Sequence, residues 1–464
     1  MKVIFISLDT LRATRLSCYG YGKPTSPHLD RIASQGVLFE RAYAADIPTE
    51  VAHTDIFTGK LGLRTGVVSH GSALTQLPKA TTWLPTLLRL AGFTTAAVDN
   101  LYQLKEWFAR GFNYYINSVG KQRHIDGRRV TDLAKAWIGE HQGDDFFLFL
   151  HYWDAHTPYL PPDSYKAQFY EQGRDPFDPS NKSMEKAYNH TAYPFFKHHH
   201  YDLLGNITDS DYMSSLYDAE IRYLDDLLLE LDQYLQSLGI QEETMLVLFG
   251  DHGESLDEHD IYWDHCGLYE ATVRVPIIMR WPGHIPAGRR VSGLVQQVDM
   301  MPTVLEAAGL AVPAGIDGRS LWPSIRGEAD GTQPHVFLSE CAWQASRGVV
   351  TPTHKLIRTV DAGPFSRPPR ELYDLTRDPN ETVNLAESEP ALADELERLL
   401  DDWVAGMLDG RDDPMTVQLE KAGLPFRQRI EAILNGVGLT WEQWKQNPDR
   451  HIFDELHHRS RQPK

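Results

Sequence analysis

Cysteine is scarce in this chain, with Cys18, Cys266 and Cys341 as its three copies in 464 residues. Their number is odd and none forms a C-x-x-C pair, which argues against a disulfide framework and fits a reducing compartment. Long apolar runs are missing as well. The run that opens the chain stops at Asp9, too short for a signal peptide or a membrane span of about eighteen residues or more. The sequence therefore predicts a soluble, cytoplasmic protein.

Positive charge is also in deficit. The chain has 45 lysines and arginines against 64 aspartates and glutamates, a formal net charge of -19. Such a protein would repel phosphates overall, which excludes sequence-independent nucleic-acid binding. A small anionic substrate then needs a local positive pocket, and a bound metal ion can supply one. With 42% hydrophobic residues, the chain can bury one large core and a smaller one.

Apolar runs alternate with helical patterns along the first half of the chain. The alternation predicts an α/β fold with a large, mainly parallel sheet flanked by helices. Functional groups gather at the carboxyl ends of such strands, and Asp9, His151 and Asp251 each follow an apolar run. The predicted strands are 2–8, 94–98, 146–151 and 245–249. The predicted helices, from spacing and caps, are 26–36, 83–91, 130–138 and 214–238.

The sequence predicts a catalytic domain at 1–334, followed by two smaller parts. Within that domain, residues 161–212 break the pattern with prolines, aromatics and three adjacent histidines at 198–200, and we expect a surface insertion that acts as a lid. A metal site is the alternative there, but three adjacent side chains cannot all converge on one ion. Residues 335–410 predict a smaller α+β subdomain. The helical tail, 411–464, either packs on its own domain or forms an arm for a homo-oligomer.

Four side chains make the central chemical hypothesis: Asp9, Thr49, Asp251 and His252. Two carboxylates, a hydroxyl and an imidazole suit one divalent ion, with Zn²⁺ or Mn²⁺ favoured and Ca²⁺ or Mg²⁺ as alternatives. The ion would lower the pKa of the Thr49 hydroxyl and generate a nucleophilic alkoxide near neutral pH. Thr49 is also predicted to begin a helix, whose N-terminus favours a bound anion.

The segment TEVAHTDIFTG, from Thr49 to Gly59, resembles the nucleophile segment of the sulfatase family. In that family a cysteine, later oxidised to formylglycine, lies nine residues before the threonine of a Leu-Thr-Gly ending. Counting back nine residues from Thr58 reaches Thr49. Because a threonine cannot become formylglycine, the resemblance implies a sulfatase scaffold with an unmodified hydroxyl as its nucleophile.

Two further segments extend the resemblance. The sequence DHGESL, at 251–256, is shared by sulfatases and by phosphoethanolamine and lipoteichoic-acid transferases, all members of the alkaline phosphatase superfamily. The sequence ELYDLTRDPNETVNL, at 371–385, resembles the small carboxyl-terminal subdomain of sulfatases. The resemblance implies an alkaline-phosphatase-like sandwich. Its site resembles those of phosphonate monoester hydrolases, phosphodiesterases and phosphoethanolamine transferases. In the transferases an acidic residue, a threonine nucleophile and an Asp-His pair surround one metal, and the resemblance gives these roles to Asp9, Thr49, Asp251 and His252.

Thr10 stands where sulfatases often carry a second aspartate, which puts the calcium site of ordinary sulfatases in doubt. Two histidines are catalytic candidates. His156 lies in a loop that resembles the sulfatase Asp-Pro-His-x-Pro loop, and His265 occupies a position where many sulfatases have lysine. Both would bind the non-bridging oxygens or protonate the leaving group. A histidine satisfied in a polar loop is the alternative for each.

Four residues are candidates for substrate binding. His53, four residues after Thr49, replaces an arginine of the sulfatases and shares the helix face of Thr49. His70 occupies a place that often contacts substrate in relatives. Asn100 and Lys105 follow a predicted strand, where ordinary sulfatases carry Gly-Lys-x-His. Simple packing is the alternative for His53 and His70, and a place in a helix or its cap is the alternative for Asn100 and Lys105.

The leading hypothesis is a metal-dependent hydrolase of phosphate or phosphonate esters, with Thr49 forming a covalent phospho-enzyme. A sulfatase that works without formylglycine is the second hypothesis. Transfer to a second alcohol ranks third, because the transferases carry membrane spans and this chain has none. The alternative outside the enzymes is a non-catalytic member of the superfamily that binds a ligand or partner. It is motivated by the absence of the cysteine, arginine and lysine that sulfatases carry at the corresponding positions.

Overall fold

The structure, a computed structural model, describes residues 1–117 and 126–460. Its centre is an eight-stranded sheet in which every neighbouring pair is parallel except the two pairs made by Arg274–Arg280. The predicted α/β fold with a mainly parallel sheet is confirmed. In spatial order the strands are Tyr114–Ile116, Thr94–Val98, Phe146–Tyr152, Lys2–Leu8, Thr244–Gly250, Arg274–Arg280, Val37–Tyr43 and Arg289–Gln296.

The central strand, Lys2–Leu8, is buried on both faces, with Ile4 in one core cluster and Phe5 in another. Continuous apolar sequence is what a parallel strand covered on both faces requires. The register with the two neighbouring strands keeps their carboxyl ends level. Asp9 and Asp251, the residues that follow two of these strands, therefore emerge at the same edge of the sheet.

Helices cover this sheet, and the four predicted in the first half of the chain are all present, with ends that differ by a few residues. The longest is Ser210–Ser237, whose apolar stripe packs on the core. Among the described residues the α-helices, including those of the later parts of the chain, are Pro27–Ser34, Thr49–Thr58, Gly62–Thr65, Leu84–Leu90, Gly127–His141, Asp163–Lys166, Glu185–Tyr188, Tyr193–Phe196, Asp202–Leu204, Ser210–Ser237, Glu270–Val273, Met300–Ala307, Trp322–Arg326, Pro390–Leu408, Pro414–Ala422, Pro425–Gly436, Trp441–Gln446 and Arg450–Ser460.

A second, five-stranded sheet forms the core of a carboxyl-terminal subdomain, as predicted. Four of its strands are antiparallel neighbours from residues 336–374, and the fifth, Asp46–Ile47, comes from the segment that leads into Thr49. The two sheets are therefore joined close to the candidate nucleophile. In spatial order the strands are Arg370–Asp374, His354–Asp361, Ala345–Val350, Val336–Cys341 and Asp46–Ile47.

The insertion expected at 161–212 contains several short helices, and four of its aromatic side chains are buried, those of Tyr188, Tyr193, Phe196 and Tyr201. The tail packs against it within the same chain. The Trp444 Nε1–H donates to the Thr191 carbonyl at 2.9 Å, and Phe453, fully buried, lies with its ring centroid 6.0 Å from that of Tyr193. Of the two alternatives for the tail, the structure has packing on its own chain. A homo-oligomer arm stays a prediction.

The three adjacent histidines of the insertion point in different directions. His198 contacts Asp202 and His457, whereas His200 is buried among aromatic rings. Within the described ranges, no metal-type group of ligands forms around them.

All three cysteines are free, in agreement with the predicted lack of a disulfide framework. Among the helices of the described ranges, none combines the length and the apolar character that a membrane crossing requires. The cytoplasmic location stays a prediction.

Candidate active site

Asp9, Asp251 and His252 meet at the carboxyl edge of the large sheet. One ligand atom from each lies within 4.8 Å of the others, and all three residues are fully buried. The Asp9 Oδ1 and Asp251 Oδ2 oxygens are buried without a hydrogen-bond partner among the described residues. Burial and the nearby Asp9 charge raise the pKa of Asp251. A buried carboxylate pair with orphaned oxygens fits a divalent cation, which would satisfy both oxygens and offset their repulsion.

The His252 ring is oriented by its own backbone. Its Nδ1–H donates to the Gly253 carbonyl at 3.1 Å, which leaves Nε2 with a lone pair facing the carboxylates. Nε2 lies 3.4 Å from Asp251 Oδ2 and 3.9 Å from Asp9 Oδ1. The imidazole therefore presents a ligand atom to the same point as the two acids.

Thr49 joins this group from the other side. Its hydroxyl lies 3.0 Å from His252 Nε2. Thr49 is the first residue of the helix Thr49–Thr58, as predicted, and that helix begins directly after Pro48. The first backbone N–H groups of a helix have no intrahelical acceptor, so they and the helix dipole favour a negative group next to the Thr49 side chain.

His151 supplies a fixed positive charge behind Asp9. Its Nε2 lies 2.9 Å from Asp9 Oδ2 and its Nδ1 lies 2.8 Å from Asp99 Oδ1. Both ring nitrogens thus donate to carboxylates, which requires the imidazolium form. Burial opposes that charge, but the hydrogen bonds to Asp9 and Asp99 outweigh it and raise the pKa of His151 to about 10. The hydrogen bond from His151 therefore occupies Asp9 Oδ2, and Asp9 Oδ1 remains available to a metal ion held together with Asp251 and His252.

A cavity of about 620 Å³ opens from Thr49. Its size suits a drug-sized ligand rather than an inorganic anion alone. Besides Thr49, three of the candidate residues line it, namely His70, His156 and His265. The rest of the described lining consists of four acidic residues, Asp126, Asp154, Glu220 and Asp264, and of Leu104, Trp153, Thr157, Pro158, Leu160, Phe195, Phe196, His199, Leu203, Trp343 and Phe426.

Comparison with known proteins identifies the scaffold. A sequence model of the Sulfatase family matches residues 2–310, and one described as N-sulphoglucosamine sulphohydrolase, C-terminal, matches residues 257–404. This chain belongs to the sulfatase family. Neither match extends into the tail beyond residue 404.

Among its relatives is an N-acetylglucosamine-6-O-sulfatase of Bacteroides thetaiotaomicron, 24% identical over 83% of this chain and 82% of the relative. Similar solved structures include the phosphonate monoester hydrolase of Agrobacterium radiobacter, with a TM-score of 0.72 and 21% identity over 88% of this chain and 96% of that one. A structure in complex with its substrate D-glucosamine-2-N,6-O-disulfate has a TM-score of 0.70 and 21% identity over 89% and 99%. These likenesses confirm the alkaline-phosphatase-like fold.

In this member of the sulfatase family, His265 is held by a buried glutamate. The His265 Nδ1–H points to Glu254 Oε2 at 3.3 Å, and the Tyr159 hydroxyl donates to Glu254 Oε1 at 2.5 Å. The His265 ring stacks on His252 at 4.7 Å and lies 4.8 Å from the ring of His156. Both predicted catalytic histidines are thus brought beside the Thr49 group, and Glu254 fixes which His265 nitrogen faces the cavity.

His53 is placed differently from the substrate contact proposed for it. It is fully buried beneath Thr49, where its Nδ1–H donates to the Thr49 carbonyl and the Ser7 hydroxyl donates to its Nε2, both at 2.9 Å. Asp251 Oδ2 lies 3.6 Å from His53 Nδ1. The ring shares the helix face of Thr49, as predicted, but it supports the helix from below because the sheet already covers it.

Asn100 and Lys105 are likewise absent from the described lining of the cavity. Asn100 is buried, and the Lys105 ammonium donates to the Ser72 carbonyl at 2.6 Å and lies 3.7 Å from Glu50 Oε1. Burial raises the pKa of Glu50 to about 7. Lys105 is therefore engaged with the first turn of the helix that begins at Thr49 instead of lining the cavity.

Sequence reasoning gave no role to three residues of the site: Ser7, Asp99 and Glu254. His151 was recognised only as a strand-end group. Glu254 had a readable signal, because it stands two residues after His252 in the DHGESL segment. Ser7 and Asp99 act through contacts between segments far apart in the chain, which no local pattern contains.

Proposed function

We propose that this sulfatase-family protein is a metal-dependent hydrolase of phosphate or phosphonate esters in which the unmodified Thr49 hydroxyl is the nucleophile. The observation that carries the proposal is the 3.0 Å contact between Thr49 Oγ1 and His252 Nε2, inside a buried group that also contains Asp9 and Asp251. A hydroxyl at the floor of a cavity and beside a cation site is suited to attack an anionic ester.

Asp9, Thr49, Asp251 and His252 would hold the ion, and the donor types favour Zn²⁺ or Mn²⁺ over Ca²⁺ or Mg²⁺. When bound, the ion supplies positive charge that lowers the pKa of the Thr49 hydroxyl and offsets the charge of the ester. The helix that begins at Thr49 adds positive potential for the same anion.

The reaction has two steps. The Thr49 hydroxyl gives up its proton to solvent, and its oxygen attacks phosphorus to form a phosphothreonine ester while the bond to the alcohol oxygen breaks and that oxygen takes a proton from His265. Water then attacks the same phosphorus and gives a proton to His265, the bond from phosphorus to the Thr49 oxygen breaks, and that oxygen regains a proton from solvent as phosphate or phosphonate is released. Glu254, hydrogen-bonded to His265 Nδ1, holds the ring in position for both steps.

Phosphorus is favoured over sulfur for a chemical reason. An ester of threonine can be cleared only by a second attack at the central atom, whereas a formylglycine hydrate releases sulfate by elimination. A second candidate, a sulfuric ester hydrolase without formylglycine, is favoured by the relatives that are named sulfatases. The similarity to a phosphonate monoester hydrolase supports the first candidate at the level of fold.

The test compares p-nitrophenyl phosphate, p-nitrophenyl phenylphosphonate and p-nitrophenyl sulfate with the Zn²⁺- or Mn²⁺-loaded enzyme. We expect turnover of a phosphorus ester that falls by about a thousandfold or more in Thr49→Ala and is partly retained in the matched control Thr49→Ser. Turnover of the sulfate ester alone would favour the second candidate. Metal-free protein without turnover of any ester would favour a non-catalytic binding protein.

A further inference from the structure

The cavity above Thr49 has walls from four separate parts of the chain. Trp153 belongs to the loop after a central strand, Phe195 and Phe196 to the insertion, Trp343 to the second sheet's first hairpin, and Phe426 to the tail. All five are aromatic. The lining is therefore built by the packing of distant segments, and the tail contributes to it although neither family match covers the tail.

Phe426 is held rigidly in that wall. Its ring stacks on Trp343 at 4.6 Å and 11°, and meets Phe195 edge-on at 5.3 Å and 82°. His70, another lining residue, lies parallel to it at 5.9 Å. The Phe426 backbone N–H donates to the Ala342 carbonyl at 3.4 Å. Phe426 is 5% exposed, so its remaining free surface is what it presents to the cavity.

The mouth of the cavity is apolar as well. Leu160 and Leu203 both line it, yet they remain 51% and 55% exposed to solvent. Large apolar side chains left exposed next to a concave site indicate a surface that a ligand covers. Asp154 and Glu220 line the same cavity, and burial raises the pKa of both carboxyls and favours their neutral forms, so they offer no positive charge to a second anion on the occupant.

We propose that the tail is a specificity element: through Phe426 it completes an aromatic wall that selects esters whose alcohol portion is an uncharged, apolar ring. The inference rests on the proposed function, because it assigns the alcohol side of that substrate. A phosphoryl or sulfuryl group alone would leave most of the cavity wet, whereas a ring excludes that water and buries apolar surface on both partners.

Binding of two non-hydrolysable probes tests this without turnover. Benzylphosphonate and propylphosphonate carry the same anion and differ in the ring, and their Kd values are measured by calorimetry with Zn²⁺ or Mn²⁺ supplied. We expect the wild type to bind benzylphosphonate about tenfold more tightly. Phe426→Ala should bring the two Kd values close together, while Phe426→Leu should keep part of the preference.

Two pairs of variants distinguish a loss of contact between the ligand ring and the cavity wall from a general loss of stability in the protein. Trp441→Ala removes a buried aromatic of the same tail that is not part of the described lining, and it should lower the melting temperature without changing the Kd ratio. Leu203→Ser, at an exposed position, should reduce the preference for the ring without affecting folding. Leu90→Ser is its matched control, 75% exposed and outside the described lining, and should leave the ratio unchanged.

Equal Kd values for the two probes in the wild type would overturn the inference, and so would a Trp441→Ala variant that loses the preference as fully as Phe426→Ala. Failure to bind either probe with metal supplied would also overturn it. Ring preference in a protein that turns over no phosphorus ester would instead refute the proposed function and leave the role of the tail intact.

Discussion

Thr49 owes its setting to contacts on three sides. His252 lies beside its hydroxyl, His53 holds its carbonyl from below, and the cavity opens above it. The side chain is 98% buried, with 2% exposure, so it has little freedom to leave the site. Pre-positioning of this kind is how an ordinary alcohol becomes effective, since the reacting atom needs no reorganisation before attack.

The contact between Glu254 and His265 leads to a prediction about leaving groups. Glu254→Gln should lower kcat/KM about tenfold for esters of poor leaving alcohols such as benzyl alcohol, because their departing oxygen needs the proton that His265 delivers. Esters of p-nitrophenol, which leaves without help, should change little. The matched control is Glu258→Gln. Glu258 lies on the same loop as Glu254 but forms an ion pair with Arg12 instead of contacting His265. Equal losses for both ester types would refute the positioning role.

Asp154 gives a pH-dependent prediction about stability. Burial raises its pKa from 3.8 to about 7, so the folded state holds this proton more tightly than the unfolded state. The associated stability is present below the unfolded pKa and is lost as the pH rises through about 7. Asp154→Asn should therefore melt at a higher temperature relative to wild type at about pH 8.5 than at about pH 5.5. A difference that is the same at both pH values would contradict this.

At the scale of secondary-structure elements, the site depends on three features that meet at one edge of the sheet. Two strands end level and deliver Asp9 and Asp251, and a helix begins at Thr49 with its N-terminus towards them. The segment before that helix is pinned by Asp46–Ile47, which pairs with the second sheet. Subdomain and catalytic domain are thus coupled through the backbone that carries Thr49, the proposed nucleophile.

The tail is a further element whose docking makes a stability prediction. Phe453 is fully buried between Trp444 and Tyr193, so Phe453→Ala should lower the free energy of unfolding of its structural unit by about 3–5 kcal/mol. Urea denaturation followed by tryptophan fluorescence measures this. Its neighbour Ile452 is 46% exposed, and Ile452→Ala should change that free energy by less than about 0.5 kcal/mol. Similar effects of the two substitutions would show that the tail is not docked as described.

Periodicity predicted four of the eight strands of the large sheet and four of the helices around it, because buried strands and amphipathic helices carry their signal locally. The strand Asp46–Ile47 escaped prediction, since two residues have no pattern and the pairing partner lies in the second sheet. The ligand group was predictable from residues that follow apolar runs. The positions of His53 and Lys105 were not, because whether a helix-face side chain reaches a cavity or a buried layer depends on what other segments place around it.

At the scale of the whole molecule, the charge balance explains the need for a cation. The chain has a formal net charge of -19, and the site that must attract an anion contains buried carboxylates of its own. His151 neutralises part of that charge, and the two orphaned oxygens of Asp9 and Asp251 remain. On the proposed function, one bound divalent ion would offset this charge and add both stability and attraction for an anionic substrate.

Removal of that ion should therefore lower stability as well as activity. Dialysis against a chelator is expected to reduce the melting temperature by several degrees, and Zn²⁺ or Mn²⁺ should restore it, because a ligand that binds only the folded state stabilises it by mass action. Differential scanning calorimetry measures the shift. The Asp251→Asn variant loses one of the proposed metal ligands, so its melting temperature should change little with chelator or with added metal. If neither the chelator nor the added metal changed the melting temperature of the wild type, the proposed metal site would be refuted.

The central claim is tested most directly by trapping the covalent intermediate. The metal-loaded protein is mixed with a p-nitrophenyl phosphate or phosphonate ester, quenched in acid during turnover and digested, and the peptide that contains Thr49 is analysed by mass spectrometry. The account predicts a phosphoryl or phosphonyl adduct on the Thr49 oxygen, absent without substrate and absent in Thr49→Ala. Turnover with an unmodified Thr49 peptide and the adduct on another residue, or full activity in Thr49→Ala, would contradict it.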